Sequence, residues 1–242
     1  MYQLKTEKSK KVIDPLSSSM LIYGDHGVGK TSLTAQMEGA YFLATEAGHD
    51  FVEIMGDDVL DWDMFKAMTA TLLKSKHPYS AVILDSISAL WDLCVDHTCT
   101  KKGMSHPADL EWSRGWDYCK KAFREEFNAL TKSRLGVICT AQEDSENRGT
   151  KQSPSIYYFP RVTGSCKQVS YPVINYIGRM YVVHTPKGGE MVSKRYISFK
   201  ENKSFYARDR DGILRAASPI CLEPEENAWL TIRKVLSHST KE

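Results

Sequence analysis

The sequence predicts an α/β fold: a mostly parallel central sheet flanked by helices, followed by an antiparallel strand pair towards the C-terminus. Three observations predict it. Residues 24–31 match the phosphate-binding pattern G-x-x-x-x-G-K-[ST], with an apolar run before and a helical segment after. Two further apolar runs, at 79–84 and 135–140, end in polar residues and alternate with helical periodicities, as buried parallel strands do. Late in the chain, residues 173–183 and 191–200 flank the turn signal Lys187-Gly188-Gly189-Glu190, a hairpin signature.

Residues 1–17 form a polar lead-in with Pro15 as a break, and 18–242 read as a single domain. Ser19-Met20-Leu21-Ile22-Tyr23 suits a buried strand. It delivers Gly24, Asp25, His26, Gly27, Val28, Gly29, Lys30 and Thr31, with Ser32 opening a helix that Gly39 ends. Glycines let the backbone wrap a phosphate so that successive N–H groups form an anion nest. Lys30 is placed to reach the β- and γ-phosphates of a nucleotide such as ATP, and Thr31 to hold Mg²⁺. Residues 41–45 form the next strand, with Glu46 just past its C-terminal end and Ala47-Gly48 as a turn. Ligands of open parallel sheets bind at that end of the strands, so Glu46 is placed to orient or deprotonate a water.

Residues 61–76 predict a helix, with Phe65, Met68, Leu72 and Leu73 at helical spacing, broken by His77-Pro78. The run at 79–84 then delivers Asp85 to the metal's coordination shell, followed by Ser86. Residues 87–100 read as mostly helical and 101–108 as a polar loop. Residues 109–132 predict a long helix with Trp112, Trp116, Cys119, Phe123, Phe127 and Leu130 along a core face. The strand at 135–140 leads into Ala141-Gln142-Glu143, where Gln142 is placed to sense a γ-phosphate or a lytic water.

Residues 144–169 are rich in Ser, Gly, Pro, Asn and Lys and predict a long functional loop. It holds Tyr157, Tyr158 and Phe159 beside Lys151, Arg161 and Lys167, the mixture of aromatics and bases that single-stranded nucleic-acid binders use. After the hairpin, Asp211-Gly212 marks a turn, and Arg208 and Arg210 share a face if the segment is extended. Residues 224–236 predict a final helix, with Pro224 in the first turn.

The chain has 242 residues, is 42% hydrophobic and carries a net charge of +2. The charge is unevenly spread. Residues 41–65 hold seven acids and no Lys or Arg, whereas residues 147–200 hold nine bases and one acid. Such a basic segment suits a polyanion. No stretch approaches 18 apolar residues, which excludes a helical membrane span, and no apolar leader opens the chain. The six scattered cysteines suit free thiols in a cytoplasmic setting. Cys94, His97, Cys99 and His106 fit no standard zinc spacing.

The order of residues 24–31, Thr45-Glu46-Ala47-Gly48, Val82-Ile83-Leu84-Asp85-Ser86 and Thr140-Ala141-Gln142 resembles a RecA-like P-loop ATPase core. It is most similar to the phage single-strand-annealing ATPases of the Sak group, whose late basic element is matched by Arg208-Asp209-Arg210-Asp211-Gly212. The resemblance implies an ATP- and Mg²⁺-dependent enzyme that self-assembles into a ring or filament on single-stranded DNA. It implies that Glu46 is the general base, Asp85 supports the metal through water, and Gln142 couples the γ-phosphate to the following loop. Arg210, with Arg208, would act across a subunit interface on the neighbour's nucleotide. A single-strand-binding protein is a further implied partner. The loop at 144–169, with Lys151, Tyr157, Tyr158, Arg161 and Lys167, would contact DNA. A helicase loader, repair accessory or regulatory switch on the same core stays open, and a small-molecule kinase is disfavoured because no arginine-rich lid is visible.

Overall fold

The structure is a computed structural model that describes residues 18–46, 52–223 and 226–238. The expected lead-in at 1–17 and the turn at Ala47-Gly48 lie outside the described residues.

The chain runs β1 (Ser19–Gly24), α1 (Lys30–Ala35), β2 (Ala40–Ala44), β3 (Gly56–Asp58), α2 (Trp62–Lys74), β4 (Ala81–Asp85) and α3 (Ile87–Lys102). Two short 3-10 turns precede α4 (Arg114–Thr131), β5 (Gly136–Asn147), β6 (Ile156–Pro160) and α5 (Gly164–Ser170). Then come β7 (Tyr176–Lys187), β8 (Glu190–Ser198), β9 (Arg208–Asp209), α6 (Ile213–Ala217), β10 (Ile220–Leu222) and α7 (Ala228–His238). The sheet order is β10-β8-β7-β1-β5-β4-β2-β3. Strands β7, β1, β5, β4, β2 and β3 pair in parallel, and β7 and β8 form the expected antiparallel hairpin.

Strand alternation divides the core into two layers. Leu21 and Tyr23 of β1 face the cluster built by α2, α3, α4 and α5, where Trp62, Trp91, Phe123 and Phe127 pack. Met20 and Ile22 face the opposite cluster, with Leu33 of α1, Leu214 of α6, and Trp229 and Ile232 of α7. Helix ends follow local chemistry. The Asp61 carboxylate accepts from Met64 N at 2.7 Å to cap α2. Gly103, at φ 64, closes α3 after Lys101 and Lys102.

Parallel pairing brings the functional strand ends to one edge. Gly24 is the Cα partner of Gln142, and Ala44 that of Asp85. P-loop, Glu46, Asp85 and Gln142 therefore share one end of the sheet.

Several expectations are corrected. The helix expected over 109–132 begins only at Arg114, because Trp112 and Ser113 both sit at φ 58, and Trp112 is 89% exposed instead of lining the core. The segment expected as a loop from 144 to 169 is largely ordered: β5 runs on to Asn147, pairs antiparallel with β6, and α5 follows. The last helix starts at Ala228, with Asn227 Oδ1 accepting from Leu230 N at 3.0 Å, and not near Pro224, which lies outside the described residues.

Candidate functional site

β1 ends at Gly24, where a Cβ would lie 2.2 Å from the carbonyl oxygen of Met180, so only glycine lets β1 and β7 pair as the loop departs. The loop closes at Gly29, φ 98, a conformation that L side chains rarely adopt. Lys30 then folds back under the loop. Its Nζ donates to Gly24 O at 2.9 Å, Asp25 O at 2.8 Å and Gln142 Oε1 at 2.8 Å. All three ammonium donors are thus engaged. Burial pushes the Lys30 pKa down, and the negative charges of Asp85, Glu46, Asp25 and Glu143 work against that shift.

Asp85 at the end of β4 is held from two sides. Thr31 Oγ1 donates to its Oδ2 at 2.8 Å, and Thr140 Oγ1 of β5 donates to its Oδ1 at 2.5 Å. A hydroxyl and a carboxylate facing each other at this distance are hard oxygen donors, which suits Mg²⁺. The Asp85–Ser86 peptide is cis. Ser86 caps α3 and its hydroxyl donates to Glu46 Oε1. Thr45 Oγ1 donates to Ser86 O at 3.0 Å and accepts from Ser86 N at 2.9 Å, tying the ends of β2 and β4 together beside Glu46. A cleft of about 320 Å³ is lined by His26, Gly27, Gly29, Lys30, Thr31, Ser32, Glu46, Asp85 and Gln142, together with Val52. Most of the residues expected to bind or turn over a nucleotide meet in this one cleft. Asp25 and Val28 line a second cleft on the other flank of the loop, with Glu143 and Arg179.

Arg208 and Arg210 lie elsewhere. β9 pairs with Tyr176 and Ile177 of β7, whose β1 partners Met20 and Leu21 precede the end that carries the P-loop. Arg208 donates to Tyr171 O at 2.6 Å and Tyr206 Oη at 3.0 Å, and exposed Arg210 donates to Pro172 O at 2.5 Å.

Among the expected nucleic-acid contacts, Lys151 and Arg161 are exposed and Lys167 is half-buried. The aromatic run is not an open platform. Tyr157 is 5% exposed, its hydroxyl donates to Glu201 Oε1 at 2.9 Å, and the Arg148 guanidinium covers its ring at 3.3 Å. Burial and the Glu201 hydrogen bond push its pKa up to about 12. Tyr158, on the other face of β6, lies under Arg179, 3.8 Å from its ring centroid. Strand alternation explains the difference, since neighbours in β6 point to opposite sides.

Three features escaped the sequence reading. Thr140 clamps Asp85, and its spacing of two from Gln142 on a strand is the signal that places both on one face. Arg179 and Glu143 form a bidentate pair at 2.9 and 3.3 Å beside the loop. Arg195 of β8 rests against the loop: a Cβ on Gly29 would lie 3.2 Å from its Cζ, and its Nε is buried with no hydrogen-bond partner among the described residues. No motif marks either arginine, because each depends on which strands become neighbours.

A family model described as an AAA domain matches residues 17–211. No curated protein matches the chain. Among the described residues, no helix is long and apolar enough to cross a membrane.

Proposed function

The chain belongs to the AAA domain family, whose match spans most of its length, and from that premise we propose a RecA-like ATPase that assembles on single-stranded DNA and promotes strand annealing or recombination. One observation carries this reading. β5 holds Gln142, which bonds the P-loop lysine, and the same strand runs on into the aromatic β5–β6 hairpin, whose connection carries exposed Lys151 and which exposed Arg161 follows. Nucleotide and polymer sites on one continuous strand suit an ATPase that responds to DNA.

In this reading Lys30 leaves Gln142 for the phosphates, and Glu46, held by Ser86, takes the proton of the attacking water. Gln142, freed from Lys30, turns to the γ-phosphate. Thr31 and Asp85 would hold Mg²⁺, which neutralises phosphate charge when bound. Arg210, backed by Arg208, reaches a neighbouring copy's nucleotide, since neither lies at the P-loop end of its own chain. Lys151, Arg161 and Lys167 attract the polymer backbone. The unit is a single domain beginning near residue 18 and working as a homo-oligomer in a cytoplasm, where its buried thiols stay reduced.

The test is ATP turnover with and without saturating single-stranded DNA, with mass measurement of the assembly. Stimulated turnover on an oligomer is expected. A rate indifferent to DNA would overturn the DNA reading and leave an accessory or regulatory ATPase.

A further inference from the structure

A further cleft, of about 530 Å³, opens between the end of α2 with the segment that follows it and the turn from α4 into β5. Ser80 and Leu135 in its wall directly precede β4 and β5. It therefore lies at the end of the sheet opposite the P-loop, Glu46, Asp85 and Gln142. Its charged lining is Lys74, Lys76 and Arg134, all three exposed. Among the described residues no ion pair engages them. The nucleotide cleft holds Glu46 and Asp85, and the cleft on its other flank holds Asp25 and Glu143, whereas no carboxylate lines this one. Ser75, Ser80 and Ser133 add hydroxyls to the wall, and Ser133 Oγ accepts from Leu135 N at 3.0 Å, which leaves its own O–H to donate. His77 adds no charge: its Nδ1 accepts from Tyr79 N at 3.2 Å and its Nε2 donates to Leu72 O at 2.7 Å, the pattern of a neutral ring.

Cations at helix ends have an ordinary explanation, and its size can be compared with the charge present. α2 ends at Lys74 and α4 at Thr131, and each helix end carries about half a negative charge. Glu38, one residue before Gly39, whose carbonyl accepts from Ser80 N, brings one more negative charge nearby. Lys74, Lys76, Lys132 and Arg134 exceed all of these by about two positive charges. A lining of ammonium, guanidinium and hydroxyl donors with that surplus selects an anion rich in oxygens. Exposed cations hold a small anion weakly, because water and salt screen each of them. A polymer engages several at once and gains from the counterions it releases. We propose that this cleft is a second site for single-stranded DNA, gripping the phosphate backbone through Lys74, Lys76 and Arg134 without reading bases. The assignment rests on the single-stranded DNA reading above and deepens it. One strand lies at the β5–β6 hairpin, a second at the opposite end of the sheet, and an assembly that holds both raises the concentration of each strand around the other.

The experiment titrates the full chain with a labelled oligothymidylate of about 12 nucleotides, a length that one binding module can cover. Wild type should bind two oligonucleotides per chain. The variant Lys74→Gln, Lys76→Gln, Arg134→Gln should bind one, with an unchanged melting temperature and unchanged DNA-stimulated ATP turnover. The charge-conserving variant Lys74→Arg, Lys76→Arg, Arg134→Lys should bind two. The second binding event should weaken with salt at a log–log slope of about −2, the share of three phosphate contacts on a single strand. The glutamine variant should anneal complementary strands at least about 10-fold more slowly than wild type. One oligonucleotide per wild-type chain, or two retained in the glutamine variant, overturns the second site while DNA binding stands. No binding by wild type overturns the DNA reading and the site together. Release of the second oligonucleotide by polyglutamate as readily as by unlabelled oligothymidylate would assign the cleft to an acidic protein and overturn the nucleic-acid assignment. Release by inorganic phosphate at matched ionic strength would assign it to a small anion and overturn the polymer.

Discussion

Replacing Arg179 by methionine tests how the strands beside the P-loop are held. Arg179 Nε and Nη2 meet the two Glu143 oxygens at 2.9 and 3.3 Å, and the side chains are only 13% and 14% exposed. Removing the guanidinium leaves a largely buried carboxylate without its partner, which costs about 3–5 kcal/mol. The Tyr158 ring also loses a cation 3.8 Å from its centroid. In a chain of this size each kcal/mol lowers the melting temperature by about 2–4 °C, so Arg179→Met should melt roughly 6–20 °C lower. Arg179→Met combined with Glu143→Leu removes both charges, and with them the stranded carboxylate, so the double variant should recover most of the loss. Thermal denaturation of wild type, both single variants and the double variant reads this directly. A single-variant loss under about 1 kcal/mol would place the pair with solvent-screened surface bridges. Additive losses in the double variant would show that the two side chains are not coupled.

Glu46→Gln should keep ATP binding and slow hydrolysis by about 10²- to 10⁴-fold, and normal turnover would remove Glu46 from the base role. The depressed Lys30 pKa makes nucleotide affinity alkali-sensitive. Phosphates favour the ammonium, so binding takes up a proton once pH exceeds the lowered free-state value; ATP affinity should fall as pH rises below 10.5, and the same slope in Lys30→Arg would refute this. Arg195→Gln should weaken nucleotide binding about 3- to 10-fold in a titration with a fluorescent nucleotide, because a positive charge beside Gly29 is lost; unchanged affinity would make Arg195 a packing residue. Mixing Arg210→Ala with Glu46→Gln should restore part of the turnover that each lacks, and failure at every mixing ratio would count against action across a subunit interface.

What the sequence made legible is what depends on contiguity or on strand ends. Residues 24–31 are one uninterrupted motif, and Glu46, Asp85 and Gln142 each close an apolar run, so parallel pairing brings them together. The extension of β5 was hidden because residues 143–147 leave the main sheet: paired only with β6 and largely exposed, they need no apolar alternation. α5 is seven residues long and buries Cys166, Val169 and Ser170, too few turns for a helical period to emerge. Trp112 continues the apolar spacing of α4 on paper, yet the backbone kinks at 112–113 and turns it outward. The contacts of Arg179 with Glu143 and of Arg195 with Gly29 join residues 36 or more positions apart, and only the strand order creates them.

β5 is the element on which the nucleotide chemistry and the proposed DNA response converge. Thr140 clamps Asp85, Gln142 accepts from Lys30, and Glu143 anchors Arg179, three consecutive constraints within four residues. Beyond them Gln142 O accepts from Arg161 N at 2.8 Å, which closes the base of the β5–β6 hairpin. A nucleotide that draws Lys30 away from Gln142 removes one of the contacts that set the side chain of that residue, while its backbone bond to Arg161 remains. The freed amide can then reorient without breaking the hairpin. If that is how the sites communicate, Gln142→Ala should retain both ATP binding and strand binding yet lose the stimulation of one by the other. Stimulation that persists in Gln142→Ala would place the link on the Glu143–Arg179–Tyr158 side of the strand instead.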